Sequence, residues 1–122
     1  MTSIQPQLWV DRPRAAVAFY EQAFGAQILL LVGDEEDIVS QLAVGDAVFW
    51  VAMADPERGR VSPGTTSTGR VLLIVDQPAA VVEAATAAGA TELSPVQDEH
   101  GWLVGRIRDP FGHEWEIGRP VG

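Results

Sequence analysis

Val10-Asp11-Arg12-Pro13 opens a run that closes in Phe24-Gly25-Ala26, and Val75-Asp76-Gln77-Pro78 opens a second that closes in Ala88-Gly89-Ala90. The front of the match is offset by 65 residues (75 − 10) and the back by 64 (89 − 25), so one residue is lost inside. Between the anchors, Ala15-Ala16-Val17 matches Ala79-Ala80-Val81. A self-match of this length means the fold is built from two copies of one supersecondary unit, with equivalent positions in the copies facing equivalent ways.

Each copy reads as strand, helix and three strands. Pro13 and Pro78 suit a first helical turn, where the missing N–H has no partner to lose. Ala16, Phe19, Tyr20, Ala23 and Phe24 recur at helical spacing and predict the buried face of the first helix. Gly25 stands where a left-handed C-cap belongs. Strands follow over 27–32, 38–44 and 47–53 in the first copy. The second copy supplies strands over 70–75, 91–96, 102–108 and 113–117 around a helix at 78–88. The division is module one at 1–54, a Pro/Gly/Ser/Thr-rich linker at 55–68 and module two at 69–122, all within a single domain. The expected architecture is α+β: two tandem βαβββ modules, a curved eight-stranded mixed sheet around a cavity, and helices on the outer face.

Bulk properties narrow the function. The net charge of −9 opposes binding to a phosphate backbone, so nucleic acid is not an expected partner. No apolar run reaches the ~20 residues of a membrane span, and no leader-like basic-then-apolar start is present. The chain has no cysteine, which removes thiolate metal sites and fits a cytoplasmic location.

The duplication, the Phe19-Tyr20 pair followed by Phe24-Gly25-Ala26, and the closing Asp109-Pro110-Phe111-Gly112-His113-Glu114-Trp115-Glu116-Ile117 resemble the vicinal oxygen chelate superfamily. That group includes glyoxalases, extradiol dioxygenases, fosfomycin-modifying enzymes and bleomycin-resistance proteins; the ending is most similar to the glyoxalase/bleomycin resistance and PhnB-like members. The resemblance implies a ligand on the first strand of each module and a carboxylate on the last. Carried onto this chain, those positions fall on Gln5, on its repeat mate Arg70, and on Glu116. Aligning Gly45 with Gly112 places the fourth on Phe49, or on Val51 after a slip of two.

Guanidinium has no lone pair to give, and Phe and Val have no donor atom. The expectation is therefore a site without a metal, in which Arg70 pairs with Glu116. Strand alternation adds Gln7 and Trp9 beside Gln5, Leu72 beside Arg70, and Glu114 beside Glu116, with Trp102 at the rim. These ten positions form a mostly apolar lining with a few polar groups, suited to a small-molecule ligand. His113 reads as a structural histidine. His100 reads as a solvated loop residue, or as a general acid–base if its loop covers the cavity.

The leading expectation is a small-molecule-binding protein of the glyoxalase/bleomycin-resistance type, with no cofactor, sequestering a drug or hydrophobic metabolite. The alternative is a divergent metal-dependent lyase, isomerase or dioxygenase, supported by Gln5 and Glu116 and needing a divalent metal. A third is a dimeric scaffold with a vestigial cavity. A homodimer is expected in each case, because separate modules leave strand edges uncovered.

Overall fold

A computed structural model describes residues 1–122. Module one runs β1 (Gln7–Val10), α1 (Pro13–Phe24), β2 (Gln27–Asp34), β3 (Asp37–Val44) and β4 (Ala47–Met53). Module two runs β5 (Arg70–Ile74), α2 (Pro78–Ala87), β6 (Thr91–Glu99), β7 (Trp102–Arg108) and β8 (Glu114–Pro120). Both helices start on the expected proline, and Gly25 caps α1 at φ 70° with its N–H on the Glu21 carbonyl. No helix is long and apolar enough to cross a membrane.

The eight strands form two hydrogen-bonded sheets of four, ordered β1-β4-β3-β2 and β5-β8-β7-β6. In each, the first strand runs parallel to the last strand of its module and the remaining pairs are antiparallel. The repeat is thus reproduced in topology as well as in element order. The helices pack on one another and on one face of their own sheets, α1 chiefly on β1, β3 and β4, α2 on β6, β7 and β8. The opposite face of each sheet is left open.

The two modules share one core. Phe19, Tyr20 and Phe24 from α1, Phe49 from β4, Phe111 from the loop before β8, and Trp115 from β8 form a connected cluster of ring contacts. At its centre lies Asp109, a carboxylate that is 3 % exposed. Its Oδ2 accepts from the Tyr20 hydroxyl at 2.5 Å and from the Trp115 indole N–H at 2.9 Å. Its Oδ1 accepts from the backbone N–H groups of Phe111 and His113 at 2.9 and 3.0 Å. Four donors meet one buried carboxylate, which is how a charge survives in such a place.

The same loop collects further contacts. His113 Nε2 lies 2.8 Å from the Trp9 carbonyl, which can only accept, so this nitrogen carries the proton. The Arg12 guanidinium sits 5.0 Å above the Phe111 ring and donates to the Pro110 carbonyl. The connecting segment, which contains a short 3-10 turn at Pro56–Arg58, docks here too: Ser62 and Ser67 hydroxyls donate to the Phe111 and Gly112 carbonyls. Gly112, at φ 96°, has the Gly64 backbone where a Cβ would stand, so no side chain fits. The expected linker is therefore packed against module two.

Tyr20→Phe removes one hydrogen bond to a buried charge, and unfolding free energy should fall by about 2 kcal/mol in urea titrations. The wild type also has an alkaline dependence that this variant should lack. Burial, and then the Asp109 charge, hold the Tyr20 pKa well above the ordinary tyrosine value of 10.0. Above that pH the unfolded chain sheds a proton that the folded chain keeps, so the tyrosine's contribution is complete below it and declines as pH rises. Identical alkaline slopes for wild type and variant would contradict this assignment.

Candidate functional site

Strand register fixes which side chains face the open side. In module two, Arg70 lies opposite Glu114 and Leu72 opposite Glu116 on β5/β8. Glu114 lies opposite Arg108, and Glu116 opposite Arg106, on β8/β7. In module one, Gln7 lies opposite Trp50 on β1/β4, and Trp50 opposite Gln41 on β4/β3. Gln7 and Leu72 are repeat mates at offset 65 (72 − 7), so the module-one counterpart of Glu116 is Trp50.

This corrects the expectation for Phe49 and Val51. Both face the helices, 6 % and 0 % exposed, with Phe49 edge-on to Tyr20 at 5.2 Å. The cause is the connection before the last strand of each module. Gln41 and its partner Trp50 are nine residues apart (50 − 41), whereas the equivalent Arg106 and its partner Glu116 are ten apart (116 − 106), so this connection holds one more residue in module two. Aligning Gly45 with Gly112 gives an offset of 67 (112 − 45), but the strands align at 66 (116 − 50). A slip of one residue turns a strand's side chains to the opposite face.

The two modules now show one contact repeated in different chemistry. The Gln5 Oε1 accepts from the Trp50 indole N–H at 2.8 Å, with the Gln41 amide at 3.4 Å. Arg70, the repeat mate of Gln5, reaches Glu116 at 3.1 Å, as expected, and Glu114 at 3.0 Å. Arg106, unforeseen from the sequence, holds Glu116 at 3.2 Å and Glu99 at 3.0 Å, and reaches the Ser94 hydroxyl. Arg108 lies 3.8 Å from Glu114. Three arginines and three glutamates thus alternate across the open face of module two, so the chain's excess negative charge lies elsewhere. Hydrogen bonds from Arg106, then from Gln97, hold the Glu99 pKa below the ordinary carboxylate value. The same bonds, which Arg106 donates to Glu99, push the guanidinium further toward the protonated form. The sequence signal for this lattice was Arg106 and Arg108 preceding Glu114 and Glu116 at the same alternation.

The ten expected lining residues divide among several places. Gln7, Trp9, Arg70 and Glu114 line a cleft of about 430 Å³, with His113 and the segment around Thr66–Gly69 as its wall. Gln5, Phe49 and Leu72 border a second, more apolar cleft of about 310 Å³. Glu116 lies within the ion-pair lattice, Trp102 is exposed at the start of β7, and Val51 is in the core. His100 sits in the tight β6–β7 turn at φ 54°, exposed, and covers neither cleft.

The equivalent positions are therefore Gln5, Trp50, Arg70 and Glu116. The residues do not fit a divalent metal. The indole N–H of Trp50 donates and cannot ligate, Arg70 has no lone pair, and the Gln5 oxygen is already engaged. No group of three or more His, Asp or Glu side chains converges as a metal cage would require.

Arg70 is 41 % exposed, and each of its partners keeps a second arginine. Arg70→Ala should accordingly cost no more than about 1 kcal/mol in denaturant titrations. A loss several times larger would mean that the lattice depends on Arg70 as a buried pair would.

Residues 3–117 match the Glyoxalase/Bleomycin resistance protein/Dioxygenase superfamily. A protein of Mycobacterium bovis, itself uncharacterized, is 33% identical over 127 residues, covering 98% of this chain and 84% of that protein. The structure of TioX from Micromonospora sp. ML1 is similar at a TM-score of 0.79 and 25% identity, covering 99% of this chain and 100% of TioX. The fosfomycin resistance protein FosX from Listeria monocytogenes, solved with Mn(II) and sulfate, gives a TM-score of 0.75 at 13% identity, covering 98% and 93% of the two chains. That last likeness is one of fold. With that span taking in nearly all of both modules, the chain belongs to the glyoxalase/bleomycin resistance protein/dioxygenase superfamily.

Proposed function

We propose that this protein binds a small aromatic or hydrophobic molecule and does so without a catalytic metal. One observation carries the reading: two of the four equivalent positions hold Trp50 and Arg70, which cannot ligate, and both are already committed to neighbours. What remains is a binding surface. Trp9 offers a flat apolar ring at the cleft beside Arg70, and Gln7 and His113 supply polar atoms around it. A single aromatic wall, Trp9, in a lining that is otherwise largely polar suits stacking of a planar ligand whose polar edge is read by Arg70 or Gln7. Sequestration of a drug or hydrophobic metabolite follows from such a site, because binding alone accomplishes it.

Elemental analysis of the purified protein should find no stoichiometric divalent metal. Titration with 8-anilinonaphthalene sulfonate, a flat aromatic anion, should saturate one site per chain, and Trp9→Ala should weaken it at least about tenfold, the loss of one well-packed aromatic contact. Bleomycin, the cationic drug named in the family's description, tests the opposite ligand charge in the same assay. A stoichiometric metal whose removal abolishes binding would overturn the proposal in favour of a metal-dependent lyase, isomerase or dioxygenase. Dye binding indifferent to Trp9 would place the ligand elsewhere.

A further inference from the structure

The two clefts are images of one another under the repeat. Residues 3–6, ahead of β1, and residues 71–73 of β5 border the apolar cleft. Residues 7–9 of β1 and residues 69–71 border the Trp9–Arg70 cleft. Chain order is thus reversed between β1 and β5, and the clefts lie at opposite ends of the seam between those strands. Each takes in the segment leading into one module's first strand and the start of that module's last strand: Ile4 and Val48 in one, Gly69 and Glu114 in the other.

Their chemistry has diverged in one direction. At the offset of 65 for β1 and β5, Ile4 answers to Gly69 and Leu72 to Gln7. At the offset of 66 for β4 and β8, Ala47 answers to His113 and Val48 to Glu114. In every pair the apolar cleft holds the aliphatic residue, and the Trp9–Arg70 cleft holds a polar one or glycine. Phe49 and Trp115 also border the apolar cleft, but they are core residues, so its accessible wall is aliphatic. Ile4 and Leu72 are 95 % and 57 % exposed, which leaves apolar surface uncovered beside it. Polar groups are few. Gln5 donates to the Ser3 hydroxyl at 3.1 Å and accepts from Trp50, so its amide is committed on both sides. Asp46, exposed in the turn between β3 and β4, is the only ionisable side chain on the lining. It takes part in none of the chain's ion pairs.

We infer that this cleft is a second ligand site, for an aliphatic chain that ends in a cationic group. Two features choose that occupant. A space of about 310 Å³ bounded by aliphatic side chains offers no free ring to stack on, so it rewards the burial of methylene groups rather than planarity. A carboxylate with no cation of its own, at the edge of an apolar cavity, attracts a positive head group and repels a negative one. The two ends of the seam therefore take unlike molecules: a planar ligand with a polar edge at Trp9 and Arg70, an alkylammonium at Leu72 and Asp46.

Isothermal titration with n-butyl-, n-hexyl- and n-octyltrimethylammonium chloride, below their micellar concentrations, should find one site per chain. Each added methylene should tighten binding about fourfold, the worth of one buried methylene. Octyl sulfate should bind roughly tenfold more weakly than the octylammonium salt, attraction being exchanged for repulsion at one exposed carboxylate. Asp46→Asn should narrow that difference and keep the dependence on chain length. Leu72→Gln, which installs the residue of the equivalent position, should weaken the octylammonium salt roughly tenfold. Its circular dichroism and thermal transition should be unchanged, since Leu72 is exposed. Leu30→Gln, on the exposed apolar strand β2, should leave binding as it is. Affinity indifferent to chain length or to Leu72→Gln, a cation preference undiminished in Asp46→Asn, or a loss caused by Leu30→Gln would each overturn the inference. Trp9→Ala should not affect the alkylammonium series and Leu72→Gln should not affect dye binding, so the two proposals stand or fall separately.

Discussion

The fold depends on one carboxylate placed where only complete hydrogen bonding makes it tolerable. Asp109 stands at the end of β7, and Tyr20 comes from the other module, 89 residues away in sequence. Two half-cores of this size would be marginal alone, since small units bury too little of their surface. The aromatic cluster merges them, and Asp109 makes the merger specific. An apolar contact tolerates sliding, but a buried charge with four donors is satisfied in one arrangement only. The same loop then fixes the flanks through Trp9, Arg12, Ser62 and Gly64. Module orientation, and with it the cleft between β1 and β5, follows from these contacts.

Much of this was legible in the sequence because a repeat is a statement about geometry. The two prolines, the face of the first helix and Gly25 predicted the element order, and strand parity correctly set Arg70 and Glu116 on one face. The role of Asp109 was not legible. Asp-Pro-Phe-Gly reads as a turn, which it is, and nothing local shows that its carboxylate reaches a tyrosine on a distant helix. The misassignment of Phe49 and Val51 has a different origin. Repeat offsets hold within elements, but the connection before the last strand holds one more residue in module two, and in a strand one residue is the difference between core and open face. Anchoring on the parallel pairs β1/β4 and β5/β8 would have found Trp50, since those strands touch directly and need no assumption about turns.

The two open faces show how one geometry holds unlike chemistry. Gln5 to Trp50 and Arg70 to Glu116 are the same contact between repeat mates, one neutral and one charged. In module two the carboxylates of Glu114 and Glu116 are each paired with two guanidinium groups, so the face carries fixed, paired charge. That makes a rigid wall, because Glu114 and Glu116 are each held from two sides. Module one provides the complement: tryptophan rings with only glutamine amides between them, able to accept an apolar surface at little desolvation cost. A molecule that met both would stack on the first and find fixed dipoles on the second.

Divergence between the repeats extends from the centre of the chain to its edges, and the pattern is consistent. Where the halves meet, they are complementary: Tyr20 from one donates to Asp109 of the other. Where they face solvent, each has taken a separate course. Module two has collected charge, on its open face and along β6; module one has remained apolar on both β2 faces. A gene duplication starts with two equal edges and two equal faces, and equal edges invite open-ended association. The asymmetry that gives one open face tryptophan rings and the other paired charge is thus the same asymmetry that sets an uncharged apolar edge in one module against a charged edge in the other.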